Sequence, residues 1–477
     1  MTLPPANGQA EAYAGSTSLN QNRDIVDADR AHIWHHLTQH HAFKSSNPKV
    51  LVSGKGMQVT DSAGNTFLDA TSGGVWSVNA GFGRTEIADA VHKQLVDLCF
   101  FAGSFGTVPA AEFAVALLQH MPGMERVFYS SSGSEANEKA YKMVRQLAHQ
   151  RGDGTKHKII YRDRDYHGTT IATLSSTGQS ERKEQYGPYV PGFVPFSHCC
   201  CYRCPFGKEY GSCNIECAHD LETVIQQEGP ESIGAVVLEP ITAGGGVIPP
   251  VPEYFPIIES ICRKYDVLMH IDEVVCGLGR TGTWFGYQHY DVKPDIVTMA
   301  KGVASGYAAI SCTVTTGELF RAFNSTPEDR LSYFRDISTF GGCTAGPAAA
   351  LVNLSIIENE QLIENAALQG DYLLDRLHGL AEKHPVIGDV RGKGLLAGIE
   401  LVKDRVTKDP VEERYAMAVQ GGCLEHGVMV GRTNRSFREF NNTILLSPAL
   451  IATRGDIDDI IRSLDQSLST VENRLAD

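Results

Sequence analysis

From about residue 89 onward, apolar stretches with helical spacing at 113–120, 136–147 and 254–265 alternate with short, almost uninterrupted apolar runs. The runs lie at 127–129, 158–161, 235–238, 267–271 and 295–299. Strands apolar on both faces and separated by helices predict an α/β protein with a mainly parallel sheet covered on both sides. Both chain ends read differently. A helix-like stretch around 29–39 leads into 50–56 and 58–66, where alternation punctuated by Gly-x-Gly and Gly-Asn predicts a short antiparallel meander. Residues 386–401 predict paired strands, and Ile457, Ile460, Ile461, Leu464, Leu468 and Leu475 line one face of a closing helix. The expected division is a flexible tail over 1–24, part of a small α+β domain over 25–75, a large domain over 76–345, and the rest of the small domain over 346–477.

Composition narrows the class. With 42% hydrophobic and 21% charged residues, the 477-residue chain has the mixture of an ordinary globular protein. Its formal net charge of −14 disfavours non-specific binding to nucleic acid or anionic lipid. No apolar run approaches the roughly 20 residues of a membrane helix. Residues 1–21 lack the basic-then-apolar order of a secretory signal. A cytoplasmic chain with no nucleic-acid or membrane partner is expected, its cysteines reduced.

In an open parallel sheet, ligands collect beyond the carboxyl ends of the strands. The first run delivers Ser130-Ser131-Ser132-Gly133-Ser134-Glu135 straight into a helix, where small residues and free N–H groups suit an anion. An ordinary capped turn is the competing reading. The second run ends in Tyr166-His167-Gly168, the third in Glu239-Pro240 before Gly244-Gly245-Gly246. The fourth ends in Asp272, a carboxylate whose burial is costly unless it meets a cation such as a protonated heteroaromatic nitrogen. The fifth delivers Lys301, which desolvation turns into a usable nucleophile. Separately each charge fits a structural ion pair. Together with an anion site they describe an aldehyde cofactor joined to Lys301, its ring nitrogen on Asp272 and its phosphate on a helix end.

Ser132-Gly133-Ser134-Glu135-Ala136, Tyr166-His167-Gly168, Glu239-Pro240, Asp272-Glu273-Val274 and Lys301-Gly302, in that order, resemble the class III aminotransferases of the ω-amino-acid branch. The resemblance implies fold type I architecture, pyridoxal 5'-phosphate as cofactor, and a homodimer with active sites at its interface, or a tetramer built from it. It implies that Lys301 bears the cofactor and shuttles a proton, with Asp272 on the ring nitrogen. Val274 and Tyr166 then hold the two ring faces, and Ser132, Gly133 and Ser134 hold the phosphate. Glu239 orders the pocket or governs a mobile arginine, and Trp76 shapes the substrate pocket. The substrates implied are an amine donor (taurine, hypotaurine or β-alanine) and pyruvate as keto acid acceptor. Arg432 is the match for the substrate anion, with Arg435 and Arg438 as competitors. One departure stands out: where many relatives place Thr in the cross-subunit phosphate loop, this chain has Gly342, so that contact falls to backbone N–H or to Thr344.

Six of twelve cysteines lie between Cys199 and Cys217. Cys201, Cys204, Cys213 and Cys217 have spacing that fits either a structural zinc or an insertion whose thiols merely pack. No metal is assigned.

Overall fold

The computed structural model describes residues 22–43, 48–152, 154–324 and 328–476. Most of the expected tail, 1–21, lies outside them. The predicted helix at 29–39 is displaced: a helix spans Asn22–His32 and stops there. Leu37 adopts φ +48, which no right-handed helix continues through.

The chain divides into two compact units, one of residues up to Ser53 with Val59–Thr66, the other Gly54–Gln58 with Phe67–Asp477. In the first, the Gly-Asn turn forms because Asp61 Oδ1 accepts N–H bonds from Ala63 (3.0 Å) and Asn65 (2.9 Å).

The second unit contains a seven-stranded sheet. Its strands are β1 Met124–Ser130, β2 Lys158–Arg162, β3 Phe193–Phe196, β4 Ile233–Leu238, β5 Leu268–Asp272, β6 Ile296–Met299 and β7 Ser311–Thr316. The spatial order is β1-β7-β6-β5-β4-β2-β3. Only β7 runs antiparallel to its neighbours; the remaining pairs are parallel. All five predicted strands are present, and the strands in the middle of the sheet serve two cores. Ile159, Tyr161, Ala235, Val237 and Ile296 pack against α1, Gly133–Arg151. The alternate residues Ile160, Val236, Leu238 and Ile271 pack with the helix Tyr254–Lys264 on the other face. That period of two follows from the pleat, and burial on both sides explains the continuous apolar runs.

A second sheet pairs Ile387–Lys393 with Leu396–Leu401, and then Thr443–Leu446 and Gly431–Arg432. The hairpin turns at Gly394, φ +55, where a Cβ would fall 2.4 Å from the Thr281 backbone. Leu68 and Asp69 pair in parallel with Val428 and Met429, which joins an early segment to a late one. The closing helix Arg454–Ala476 buries Ile457, Ile460, Ile461, Leu464 and Leu468 on one face.

Candidate active site

The strand order brings four of the singled-out positions to successive strand ends. Lys301 follows β6, Asp272 closes β5, Glu239 follows β4, and Tyr166 lies four residues beyond β2. The helix start after β1 completes the set, one antiparallel strand away.

Asp272 is 3% exposed. Its Oδ2 accepts hydrogen bonds from His167 Nδ1 and Asn137 Nδ2, both at 2.8 Å, and its Oδ1 accepts from Val274 N–H at 3.0 Å. Burial alone would raise this carboxyl; the bonds from His167 and Asn137 outweigh it and hold Asp272 below the ordinary carboxylate range. Behind it, Thr298 Oγ1 donates to Asn137 Oδ1 at 2.7 Å, and His270 Nε2 lies 3.0 Å from Thr298 Oγ1. Burial pushes His270 down to about 3, so it is neutral and supplies that N–H to Thr298.

Lys301 opens a short 3₁₀ turn with φ +35, a strained value for a residue with a Cβ. Among the described residues its Nζ has no hydrogen-bond or carboxylate partner. Burial lowers its pKa, and the charges of Asp272 and Glu239 only partly oppose this. The amine sits 5.9 Å from the centre of the Trp76 ring. Trp76 stands on a loop that Arg280 fixes in place: the guanidinium, 0% exposed, donates to Ser72 Oγ (2.9 Å) and Asn79 Oδ1 (2.7 Å).

At the start of α1, Ser132 caps the helix by accepting from Glu135 N–H at 3.3 Å. Ser134 Oγ accepts from Thr169 N–H at 3.0 Å. Each hydroxyl therefore keeps its own proton for an anion. Ser130 Oγ and Ser131 Oγ are buried with no partner among the described residues, as is His167 Nε2. A Cβ on Gly133 would lie 3.0 Å from Val274 Cγ2 and 3.7 Å from Ala300 Cβ, so glycine lets the helix start approach the lysine strand closely. Tyr166 is anchored through its N–H, which donates to Glu239 Oε1 at 2.8 Å. Glu239 Oε2 accepts from Ala243 N–H at 3.1 Å. Burial and the neighbouring Asp165 and Asp272 push Glu239 well above the usual range. Among the described residues it makes no ion pair with an arginine.

Two expected residues have partners of their own within the chain. Arg432 Nη1 donates to Glu413 Oε1 (2.8 Å) and its Nε to Gln420 Oε1 (3.2 Å), which ties it to the helix Glu413–Glu425. Arg435 pairs with Glu181 and Glu413, and Arg438 with Glu184. Thr344, 1% exposed, donates its only hydroxyl proton to Leu98 O and has none left for a phosphate. Gly342 has a steric reason: a Cβ there would lie 2.1 Å from Phe101 O. The cysteines surround a cavity of about 20 Å³, and burial raises Cys201 to about 11 and Cys217 to about 12. Among the described residues no group of three or more His, Cys, Asp or Glu is arranged to hold a metal ion.

Sequence reasoning passed over Asn137, Arg280 and Arg182. Asn137 had a signal: a polar residue on the apolar face of α1. Arg280 binds Ser72 and Asn79, far earlier in the chain, and Arg182 binds Gln179 and the distant Asn434 carbonyl; neither left one.

A lone buried amine, an ionised carboxylate and an open anion cradle on neighbouring strand ends define the pyridoxal-phosphate-dependent transferases of fold type I. Comparison with known proteins narrows this: residues 42–468 match the family model for class III aminotransferases, and the chain belongs to that family of transaminases. It is 58% identical over 453 residues to a hypotaurine/taurine–pyruvate aminotransferase of Paracoccus denitrificans, covering 95% of this chain and 98% of that one. A taurine–pyruvate aminotransferase of Bilophila wadsworthia is 57% identical over 451 residues, covering 94% and 98%. The crystal structure of a Bacillus anthracis aminotransferase superposes with a TM-score of 0.90 at 40% identity, covering 94% of this chain and 98% of that one. No helix among the described residues is long and apolar enough to cross a membrane.

Proposed function

We propose that this enzyme moves the amino group of taurine, or of the related hypotaurine or β-alanine, to pyruvate, giving an aldehyde and L-alanine. The observation that carries the reading is the partnerless Lys301 amine beside an Asp272 held ionised. The names and coverage of the relatives support the substrate pair.

Bound pyridoxal phosphate supplies an electron-withdrawing ring that stabilises the negative charge left when the donor's carbon loses its proton. Lys301 Nζ holds the cofactor. With the donor bound, the same amine, neutral, would take the proton from that carbon. Asp272 Oδ2 keeps the ring nitrogen protonated, and His167 and Asn137 keep Asp272 charged. Val274 and Tyr166 would confine the ring. Ser132, Ser134 and the backbone N–H of Gly133 receive the phosphate. Trp76 walls the substrate side. In the second half-reaction pyruvate enters the same pocket and Lys301 Nζ returns the proton.

We read the active form as a cytoplasmic homodimer. Its support is an apolar surface shared by two distant segments: Phe101 N–H donates to Gly342 O at 3.2 Å, and Phe105 and Phe340 beside them are both 67% exposed. The backbone N–H groups of Thr339 and Phe340, which open that loop's 3₁₀ turn, are then the candidates for the partner's phosphate.

The test adds taurine to purified holoenzyme without an acceptor and follows the cofactor's visible band. Loss of the band, and its return with pyruvate, establishes both halves of the reaction. A band unmoved by taurine, hypotaurine and β-alanine refutes the donor class. A protein that forms no band with added pyridoxal phosphate refutes the whole reading.

A further inference from the structure

The sheet face that packs against α1 carries a row of polar side chains among its apolar ones. Pairing sets Thr313 of β7 opposite Thr298 of β6, and Thr298 opposite Asp272 of β5. His270, two residues before Asp272, projects from the same face. None of the four is more than 3% exposed. Polar groups buried this deeply cost stability unless each is hydrogen-bonded, so the bonds they make are informative. Thr313 donates to Ala136 O at 2.8 Å, a helix carbonyl. Thr298 does something else.

The direction of every proton around Thr298 follows from its neighbours. Asn137 Oδ1 can only accept, so the 2.7 Å bond uses the one hydroxyl proton of Thr298. Thr298 Oγ1 then accepts at 3.0 Å from Nε2 of His270, which burial keeps neutral. With its oxygen held there, the Asn137 amide turns its nitrogen the other way. Nδ2 donates to His167 O at 2.7 Å and to Asp272 Oδ2 at 2.8 Å. A reversed amide would set Oδ1 against that carbonyl and that carboxylate, and would leave the Thr298 proton facing an N–H group. The protons thus run one way, from His270 through Thr298 and Asn137 to Asp272, and each bond polarises the next. Asp272 makes no hydrogen bond with Thr298 or His270, whose influence on it passes through Asn137.

We propose that Thr298, fixed by His270, is a positioning residue for the cofactor ring. It locks the Asn137 amide in the orientation that donates to Asp272, and so sets how strongly Asp272 favours a protonated ring nitrogen. This rests on the pairing of Asp272 with that nitrogen proposed above.

The test measures how the full-length apoenzyme binds two ligands, pyridoxal phosphate and its analogue with carbon in place of the ring nitrogen. Both offer the same phosphate and the same aldehyde, so the ratio of their dissociation constants isolates the contribution of Asp272. Wild type should prefer the nitrogen ring. Thr298→Val keeps the shape of the side chain and removes the hydroxyl. It should cut the preference by about 3- to 10-fold, the range for one neutral hydrogen bond. Thr298→Ser should restore it, since the hydroxyl returns. His270→Leu, which removes only the donor behind Thr298, should lower the preference by about two- to threefold. An unchanged far-ultraviolet spectrum is the fold control for each variant. A valine variant with the wild-type ratio overturns the inference, and so does a serine variant as impaired as valine. Where Thr298→Val does not fold, a leucine variant with the wild-type ratio overturns it instead. A wild type that binds the two rings equally overturns the Asp272 reading itself, and this inference with it.

Discussion

Among the described residues Lys301 has no acceptor to hold its proton, so its surroundings decide its charge. Burial removes water from the ammonium, and the attraction of Asp272 and Glu239 only partly compensates. The sign is that of a depressed base: the neutral amine, which must attack the cofactor aldehyde, is populated at lower pH than for a free lysine. Uptake of pyridoxal phosphate by the apoenzyme should therefore rise with pH to a plateau whose midpoint lies below the ~10.4 of an ordinary lysine. Stopped-flow reconstitution over pH checks this, and a midpoint at or above that value refutes the burial argument. Lys301 and Asp272 were legible in the chain because a charged residue directly after an apolar strand is conspicuous. Asn137 left only the signal of a polar residue on an apolar helix face and Arg182 left none, because what makes them matter is three-dimensional. Asn137 meets Asp272 across 135 residues of sequence, and Arg182 meets Asn434 across 252. Arg432 is held by Glu413, nineteen residues earlier, a partner that its own stretch of sequence does not announce.

At the scale of elements, the site depends on how closely α1 approaches the strand ends. Gly133 meets Val274 with almost no clearance, since an added Cβ would stand 3.0 Å and 3.2 Å from its two methyl carbons. Gly133→Ala should push the helix start and its N–H groups away from the phosphate position, with an overpacking penalty of about 1–3 kcal/mol. Expressed as cofactor affinity, that is roughly a 5- to 150-fold rise in Kd, measurable by fluorescence titration of the apoenzyme. Val274→Ala in the same chain should restore most of it, because it removes the methyls that the new Cβ meets; an additive double mutant would place the defect elsewhere. The strands that frame this contact were predictable where burial on two faces wrote continuous apolar runs. Two were not. β7 reads Ser-Cys-Thr-Val-Thr-Thr, yet Ser311 and Thr313 are 0% exposed. Thr313 is accommodated by donating its hydroxyl to Ala136 O at 2.8 Å. β3 contains Pro195, which is tolerated because β3 is an edge strand.

The whole molecule exposes an apolar surface that one chain does not cover. Phe100 pairs with Cys343 in an isolated bridge, and Gly342 fits only without a Cβ against Phe101, so segments some 240 residues apart form one continuous patch. On it Phe340, Phe105 and Ile337 are 67%, 67% and 79% exposed. Clustered aromatic and aliphatic side chains of this kind mark an interface rather than ordinary surface. The same loop holds the N–H groups proposed for the partner's phosphate, so association and cofactor retention should fail together. Phe340→Glu would place an unpaired charge in the buried centre of a dimer, at about 3–5 kcal/mol. The dimer Kd should then rise by roughly 10²- to 10³-fold or more. Sedimentation velocity should show monomer at concentrations where wild type is dimeric, with an unchanged far-ultraviolet spectrum. Activity per milligram should become dependent on protein concentration, and excess pyridoxal phosphate should restore it only where the dimer re-forms. A Phe340→Glu protein that stays dimeric would move the interface elsewhere, and a stable monomer with full activity would show that each chain completes its own site.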